Sequence, residues 1–501
     1  MTVEQLDGYL LAGAAVLLAA ILAVRVSFRI GLPSLLLYLV LGLAIGESGL
    51  GVEFDDPALA HALGFAALVV ILAEGGVTTR WSGVRGSIAL GSALATIGVG
   101  VSSAVVAVVT HYALGLDWEL AVLIGAVSSP TDSAAVFSVL RRVPVTQRLS
   151  GVLEAESGLN DASAVLLVTL VSTGQVTEHA PPVVAAIIAG ELVGGALIGV
   201  VVGFVGAWVL RRAALPASGL YPLAVLAFSV VAYAGAAQLH ASGFAAVYIA
   251  ALVLGNSDLP HRLATRSFAE GTAWLAQIGL FVMLGLLASP ERIDWWHVLA
   301  GLLAGAVLTV VARPLSVVVI TGPLRLPWRE QTFIGWAGLR GAVPIVLATI
   351  PLAEEVRQAD DLFDLIFVMV FVYTLLQAPT LPWVATRLGV TTRGGLRDLD
   401  VEAAPLDRLS ADLLQVWIPP GSHLHGVELR ELRLPEGTSV ALIVRGGQSF
   451  VPELTDALRV GDDVLVVTPR QVRDDTERRL RAVGRGGRLA GWLGQRPEDS
   501  G

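Results

Sequence analysis

The chain has no cysteine, which excludes disulfides, thiolate metal sites and cysteine nucleophiles. It has no lysine either, so all 33 basic residues are arginine and a Walker A phosphate loop is ruled out. Charge of any kind is scarce: 15% of the 501 residues are charged and 54% are hydrophobic, with a mean hydropathy of +0.73. One soluble core cannot absorb that much apolar chain, so the composition defines a polytopic membrane protein. The net charge of −9 is drawn from loops and tail and says little about partners. The opening MTVEQLDGYLLAG lacks the basic flank of a signal peptide and reads as the start of the first membrane helix.

A membrane span needs roughly 20 apolar residues, and such runs between Tyr9 and Leu388 number thirteen. Arginine falls on alternate connections. Arg25 and Arg29 follow the first span, Arg80 and Arg85 the third, Arg141, Arg142 and Arg148 the fifth, and Arg211 and Arg212 the seventh. Arg262 and Arg266 follow the ninth, Arg325 and Arg329 the eleventh, and Arg387 the last. The intervening loops hold acids such as Glu53, Asp55, Asp117 and Glu354, with Arg292 and Arg357 against the trend. By the positive-inside rule the arginine loops are cytoplasmic, the N-terminus is outside and the tail inside.

Two spans are interrupted. The fifth, AVLIGAVSSPTDSAAVFSVL, carries SSPTD at its centre, where Pro130 removes a helical hydrogen bond and clashes with the preceding turn. The twelfth, FIGWAGLRGAVPIVLAT, holds Gly338, Gly341, Pro344 and an intramembrane Arg340. Irregular backbone at membrane depth is tolerated where protein or a hydrated cavity encloses it. Seven spans apart, the two run in opposite directions, as expected of an inverted-repeat secondary transporter whose broken helices meet at the midplane.

The sixth span, with LEAESGLNDASAVLLVTLV, is the polar one. Counting about 1.5 Å per residue from Arg148 sets Asp161 roughly 20 Å along the helix, past the middle of a ~30 Å core. An ionisable group there costs about 2.5–3.5 kcal/mol on insertion scales and implies a partner or a function. Ser157 and Asp161 share a face, as do Glu156 and Asn160. Arg340 needs a carboxylate, and Glu156 is the expected partner in a structural ion pair. Asp161 then stays available beside the break at Thr131 and Asp132. Dehydration favours its protonated form, and an alkali cation is an alternative neutraliser, so the two ligands compete for one carboxylate. Movement permitted only when that site is neutralised gives antiport. Asp132 either ligands the ion or caps the second half-helix. Glu154 joins a polar network or supports access; Glu74, at the cytoplasmic end of the third span, is a funnel residue or an interfacial one. Arg313, beside Pro314, compensates half-helix carbonyls or snorkels.

The motifs ESGLND, SSPTDSAAVF and GLRGAVP, in their order, resemble the NhaP-type sodium or potassium/proton antiporters of the cation:proton antiporter superfamily, over residues 10–390. The resemblance implies an NhaA/NhaP-like fold of about 13 membrane helices in inverted repeats, with the interrupted fifth and twelfth helices crossing in a six-helix core. It implies a homodimer in a bacterial plasma membrane that exchanges a potassium or sodium ion for a proton, and no nucleic-acid partner. Asp161 is then the ion- and proton-binding acid, helped by Ser157, Thr131 and nearby backbone; Asn160 orients the crossing, and Glu156 pairs with Arg340. Members with Asn-Asp at this place are usually electroneutral, exchanging one cation for one proton. Proline commonly follows that aspartate, and here Ala162 stands in its place.

Residues 391–410 read as a polar linker and 411–485 as a small cytoplasmic α+β unit. LLQVWIPP, SVALIV and DDVLVVTP suit strands, RGGQ a hairpin turn and VELRELRL a short helix. RQVRDDTERRLRAV suits a solvated terminal helix, with a disordered tail over 486–501. The unit resembles the TrkA-C (RCK-C) subdomain. That implies a dimerising regulatory module, favours potassium over sodium, and makes a cyclic dinucleotide the candidate ligand, although no glycine-rich phosphate motif is present. His423 and His425 read as surface residues. No other cofactor and no enzymatic activity are expected. A cation channel needs several ion sites in a row, and the chain offers one strong carboxylate position. An intramembrane protease with Asp132 and Asp161 as its dyad leaves Arg340 without a role.

Overall fold

In a computed structural model the structure describes residues 3–486 apart from 31, 32, 48, 53, 55, 141, 142, 144, 342, 392–399, 407–410 and 420. Arg141, Arg142, Glu53, Asp55, most of the expected linker and residues 487–501 therefore lie outside the described residues. The chain divides into two compact units, Met1–Thr391 and Thr392–Gly501.

The first unit is helical. Among the described residues, eight helices are long and apolar enough to cross a membrane. The expected thirteen also counts the shorter apolar helices Ser34–Ile45, Trp118–Ser128, Gly243–Asn256 and Val343–Ala353 and the polar helix Gln147–Ser172. The entering ends are built as short-range chemistry dictates. Asp56 accepts the Leu59 N–H at 2.9 Å, with Pro57 as the first helical residue of Pro57–Thr78, and Asp294 forms a reciprocal cap with His297. Helix Pro181–Arg212 lies close against Gly243–Asn256 because Gly195 and Gly199 sit one turn apart on the contact face. A Cβ there would come within 2.2 Å of the Ser242 carbonyl or 2.5 Å of the Ala246 carbonyl.

Both interruptions are present. Residues 129–132 separate Trp118–Ser128 from Ser133–Leu140, and the chain leaves helix again between Trp328–Trp336 and Val343–Ala353. Each is preceded by a helix containing one π turn, Leu94–Gly98 in the first repeat and Leu308–Ala312 in the second. A π turn admits an extra residue and rotates everything after it.

In the second unit, β1 (Asp400–Leu406), β2 (Ala411–Trp417), β3 (Ser439–Arg445), β4 (Gln448–Phe450) and β5 (Asp463–Pro469) form an antiparallel sheet in the order β1-β2-β5-β3-β4. The three expected strands are β2, β3 and β5. RGGQ closes the β3–β4 hairpin with Gly446 and Gly447 both at positive φ, the two-residue turn that matches strand twist. VELRELRL contributes one 3-10 turn, Leu429–Leu432, and the terminal helix runs Arg473–Gly486. β1 falls inside the stretch read as linker. Its acids and Pro405 hide it from a propensity reading, while an edge position tolerates both. Leu414, Val416, Ile443, Val464 and Val466 make the core, with Leu480 and Val483 from the terminal helix.

Asp462 ties this unit together. Fully buried, it accepts Arg445 Nε and Nη2 at 2.8 Å each and the Arg459 N–H at 2.7 Å. Burial alone would raise its carboxyl, but the hydrogen bonds from Arg445 and Arg459 outweigh it and hold the group below the usual carboxylate range. A value lower in the folded than in the unfolded chain contributes stability above the unfolded value of about 3.9, and that contribution disappears as pH falls through the folded value. Asp462→Ala should cost the unit about 2–3 kcal/mol at neutral pH, with the difference from wild type narrowing below about pH 4. Hydrogen exchange of residues 421–486 in the full-length protein measures it, and unchanged protection at neutral pH contradicts it.

Candidate ion-binding site

The two interruptions cross and satisfy each other's backbone. The Asp132 N–H donates to the Leu339 carbonyl at 2.8 Å. Arg340 Nε donates to the Ser128 carbonyl at 2.8 Å, and its Nη1 to the Gly338 carbonyl. Thr374 Oγ1 donates to the Arg340 carbonyl at 2.9 Å. The crossing is close enough that a Cβ on Gly341 would sit 2.0 Å from Asp132 Oδ2. Asp132 Oδ1 accepts the Ala135 N–H at 3.1 Å and so caps Ser133–Leu140, the second of its two expected roles; the residue also lines the cavity described below.

Helix Gln147–Ser172 is sewn to this crossing. Asn160 Nδ2 donates to the Thr131 carbonyl at 3.1 Å and to Thr131 Oγ1 at 2.8 Å, and Thr131 Oγ1 reaches Glu156 Oε1 at 3.4 Å. The ion pair differs from expectation. Glu156 pairs with Arg313, Nη1 to Oε1 at 2.5 Å and Nη2 to Oε2 at 2.8 Å, and Arg340 instead spends its donors on carbonyls. Both arginines are buried, 3% and 4% exposed, and share the neighbourhood of the one glutamate. The reason lies one residue upstream of Arg313. The π turn Leu308–Ala312 sets the phase of Arg313–Thr321, while Arg340 sits in the non-helical stretch whose carbonyls need a donor. Depth carried a signal that was available: Arg313 lies twelve residues from Arg325, about 18 Å along a helix, too far for a snorkelling side chain.

Asp161 stays outside this network. It is 6% exposed, and its buried Oδ1 has no hydrogen-bond partner among the described residues. It opens on a cavity of about 110 Å³ that Ser157, Thr131, Asp132, Glu74 and Glu154 also line. The structure thus brings together the expected ion-binding residues except Asn160, which orients Thr131 from behind, and adds both access glutamates. Tyr248 and Gln277 line the same cavity and were missed, since each sits in an apolar run without a motif. Tyr248 packs where Gly158 has no side chain; a Cβ there would meet its ring at 2.1 Å.

Crossed, interrupted helices around one unpartnered carboxylate define an inverted-repeat membrane carrier. The family model for the transmembrane sodium/hydrogen exchanger matches residues 14–387 and that for the TrkA-C domain residues 413–481. The chain belongs to the sodium/hydrogen exchanger family, a family of transporters. It is 34% identical over 466 residues to the K(+)/H(+) antiporter NhaP of Alkalimonas amylolytica, covering 90% of this chain and 79% of that one. It is 32% identical over 482 residues to the K(+)/H(+) antiporter NhaP2 of Shewanella oneidensis, covering 93% and 82%. The fold matches the sodium proton antiporter MjNhaP1 of Methanocaldococcus jannaschii with a TM-score of 0.64 at 22% identity, over 77% of this chain and 99% of that one.

Removing one partner of a buried ion pair strands the other at a cost of about 3–5 kcal/mol. Thermal unfolding of Glu156→Ala, Arg313→Ala, Arg340→Ala and each arginine variant combined with Glu156→Ala should therefore give a large coupling between Glu156 and Arg313 and a smaller one between Glu156 and Arg340. Equal couplings, or the reverse order, contradict the pairing.

Proposed function

We propose that the protein is an electroneutral potassium/proton antiporter of a bacterial plasma membrane, with its N-terminus outside and its C-terminal unit in the cytoplasm. It works by alternating access, as a homodimer. The observation that carries this is Asp161: a buried carboxylate with an unpartnered oxygen, facing a cavity beside the crossing. The charge count around the crossing supports one-for-one exchange. Arg313 and Arg340 supply two positive charges against three negative from Glu156, Asp132 and Asp161, so a single proton or a single alkali cation neutralises the set. Either ligand removes the cost of carrying bare charge through the membrane, and neither leaves room for the other on the same oxygens. Ser157, Thr131 and Asp132 supply further oxygens to the ion, the donor set that suits a hard monovalent cation. Potassium is favoured because the potassium-exchanging relatives align through the membrane unit and the tail. The sodium reading keeps the same mechanism and is favoured by the exchanger family's name, by its solved neighbour and by a more distant relative named as a Na(+)/H(+) antiporter, 27% identical over 395 residues. Regulation of cation content and pH is the role that follows, with the TrkA-C unit as the regulatory part.

In everted vesicles with an imposed proton gradient, added potassium should dissipate the acidification more strongly than added sodium. Asp161→Asn should abolish the response to both at unchanged protein level, because it keeps the shape and removes the exchangeable charge. Exchange retained by purified Asp161→Asn contradicts the assignment.

A further inference from the structure

One face of helix Gln147–Ser172 is polar from its cytoplasmic end to the site. Gln147, Ser150, Glu154, Ser157 and Asp161 follow one another at steps of three and four residues, which places them in a single stripe. The outer part of the stripe, Gln147, Ser150 and Glu154, lines a recess of about 290 Å³. The inner part, Glu154, Ser157 and Asp161, lines the 110 Å³ cavity. Glu154 is the residue common to both. A second recess, of about 410 Å³, meets the same cavity at Leu35, Glu74 and Gln277. Asp161 therefore has two approaches from the arginine side, each with a glutamate where it joins the cavity.

The approaches differ in charge. Glu74 and Glu270 line the wider one, which suits a hydrated cation. Arg80 lines the other and has no ion-pair partner among the described residues. A guanidinium there opposes an alkali cation at that mouth. The same charge acts on a proton, but a proton passes from oxygen to oxygen and need not cross the mouth as a hydrated ion, and Ser150 Oγ lies 3.5 Å from Glu154 Oε1.

We propose that Glu154 is a proton-relay residue, passing protons between the cytoplasm and Asp161 along this stripe while the alkali cation enters past Glu74. This rests on Asp161 being the exchanged site. Seven residues separate the two acids, about 10 Å along the helix, so a bridging group is required. The Ser157 hydroxyl both donates and accepts, and the cavity has room for several waters. In the transfer the Glu154 carboxyl O–H breaks, each bridging group takes one proton and releases one, and an O–H forms on Asp161. The Glu154 carboxylate then recovers a proton through the Ser150 hydroxyl and water in the outer recess, where Gln147 only hydrogen-bonds. The groups that face Glu154 are Ser150 and Ser157 on its own helix, Glu74, Thr79 and Arg80 on or just after helix Pro57–Thr78, and Tyr248 on Gly243–Asn256.

The test uses the full chain in proteoliposomes, with exchange rates measured against potassium and sodium concentration and against pH. Glu154→Gln should lower the maximal rate about tenfold or more and flatten its pH dependence, with the cation KM changed less than about twofold. Glu154→Asp, which keeps a titrating group, should recover most of the rate. Glu74→Gln should instead raise the cation KM several-fold. A Glu154→Gln protein that matches wild type in rate and pH profile, or that raises the cation KM instead, overturns the relay. So does a Glu154→Asp protein as slow as Glu154→Gln. The underlying reading fails separately: it falls if wild type does not exchange or if Asp161→Asn does.

Discussion

A backbone that leaves its helix inside a membrane must find every hydrogen-bond partner within the protein. Here that constraint is met by two breaks that meet and serve each other, with the Arg340 guanidinium donating to carbonyls that unwinding has released from their helices. A buried guanidinium is tolerable only with negative charge nearby, and Glu156 is placed on the neighbouring helix to supply it. Once Glu156 is buried it also takes the direct partner Arg313. Fold and charge are thus fixed by the same few contacts.

Asp161 acquires its character from being left out. Asn160, its neighbour, is turned to the opposite task of holding Thr131, and Glu156 is consumed by arginine. The remaining acid faces a small cavity that, among the described residues, no arginine lines. A group in that position is costly when bare and relieved by any single positive charge, which is the physical content of exchange. The bundle around it supplies approach from one side through recesses that end in glutamates.

What was legible in the chain follows from cost. Residues that lipid penalises stand out against an apolar background, so the broken spans, Asp161 and the two intramembrane arginines could be found from type and depth. Pairing was less legible. Arg340 lacks a route to an interface and so needs a carboxylate, for which Glu156 is the expectation; the structure gives Glu156 to Arg313, just after a π turn at Leu308–Ala312 that no residue in LTVVA announces. Arg313, beside Pro314, reads equally as compensating half-helix carbonyls or as snorkelling, and its distance from Arg325 argues against the second. Tyr248 and Gln277 were invisible for the opposite reason, since one polar tip in an apolar run costs little and marks nothing. In the second unit short runs rich in Val, Ile and Leu revealed β2, β3 and β5, while the acids and proline in the sequence of β1 read as linker.

The central claim is mutual exclusion at one carboxylate, and proton release measures it most directly. Purified protein in weakly buffered detergent solution is titrated with potassium while a pH dye follows free protons, at a pH where the site is largely protonated. Competition predicts that each cation bound displaces up to one proton per chain, and that raising the proton concentration weakens cation binding in proportion. Saturable cation binding with no proton released, at an affinity indifferent to pH, would contradict it.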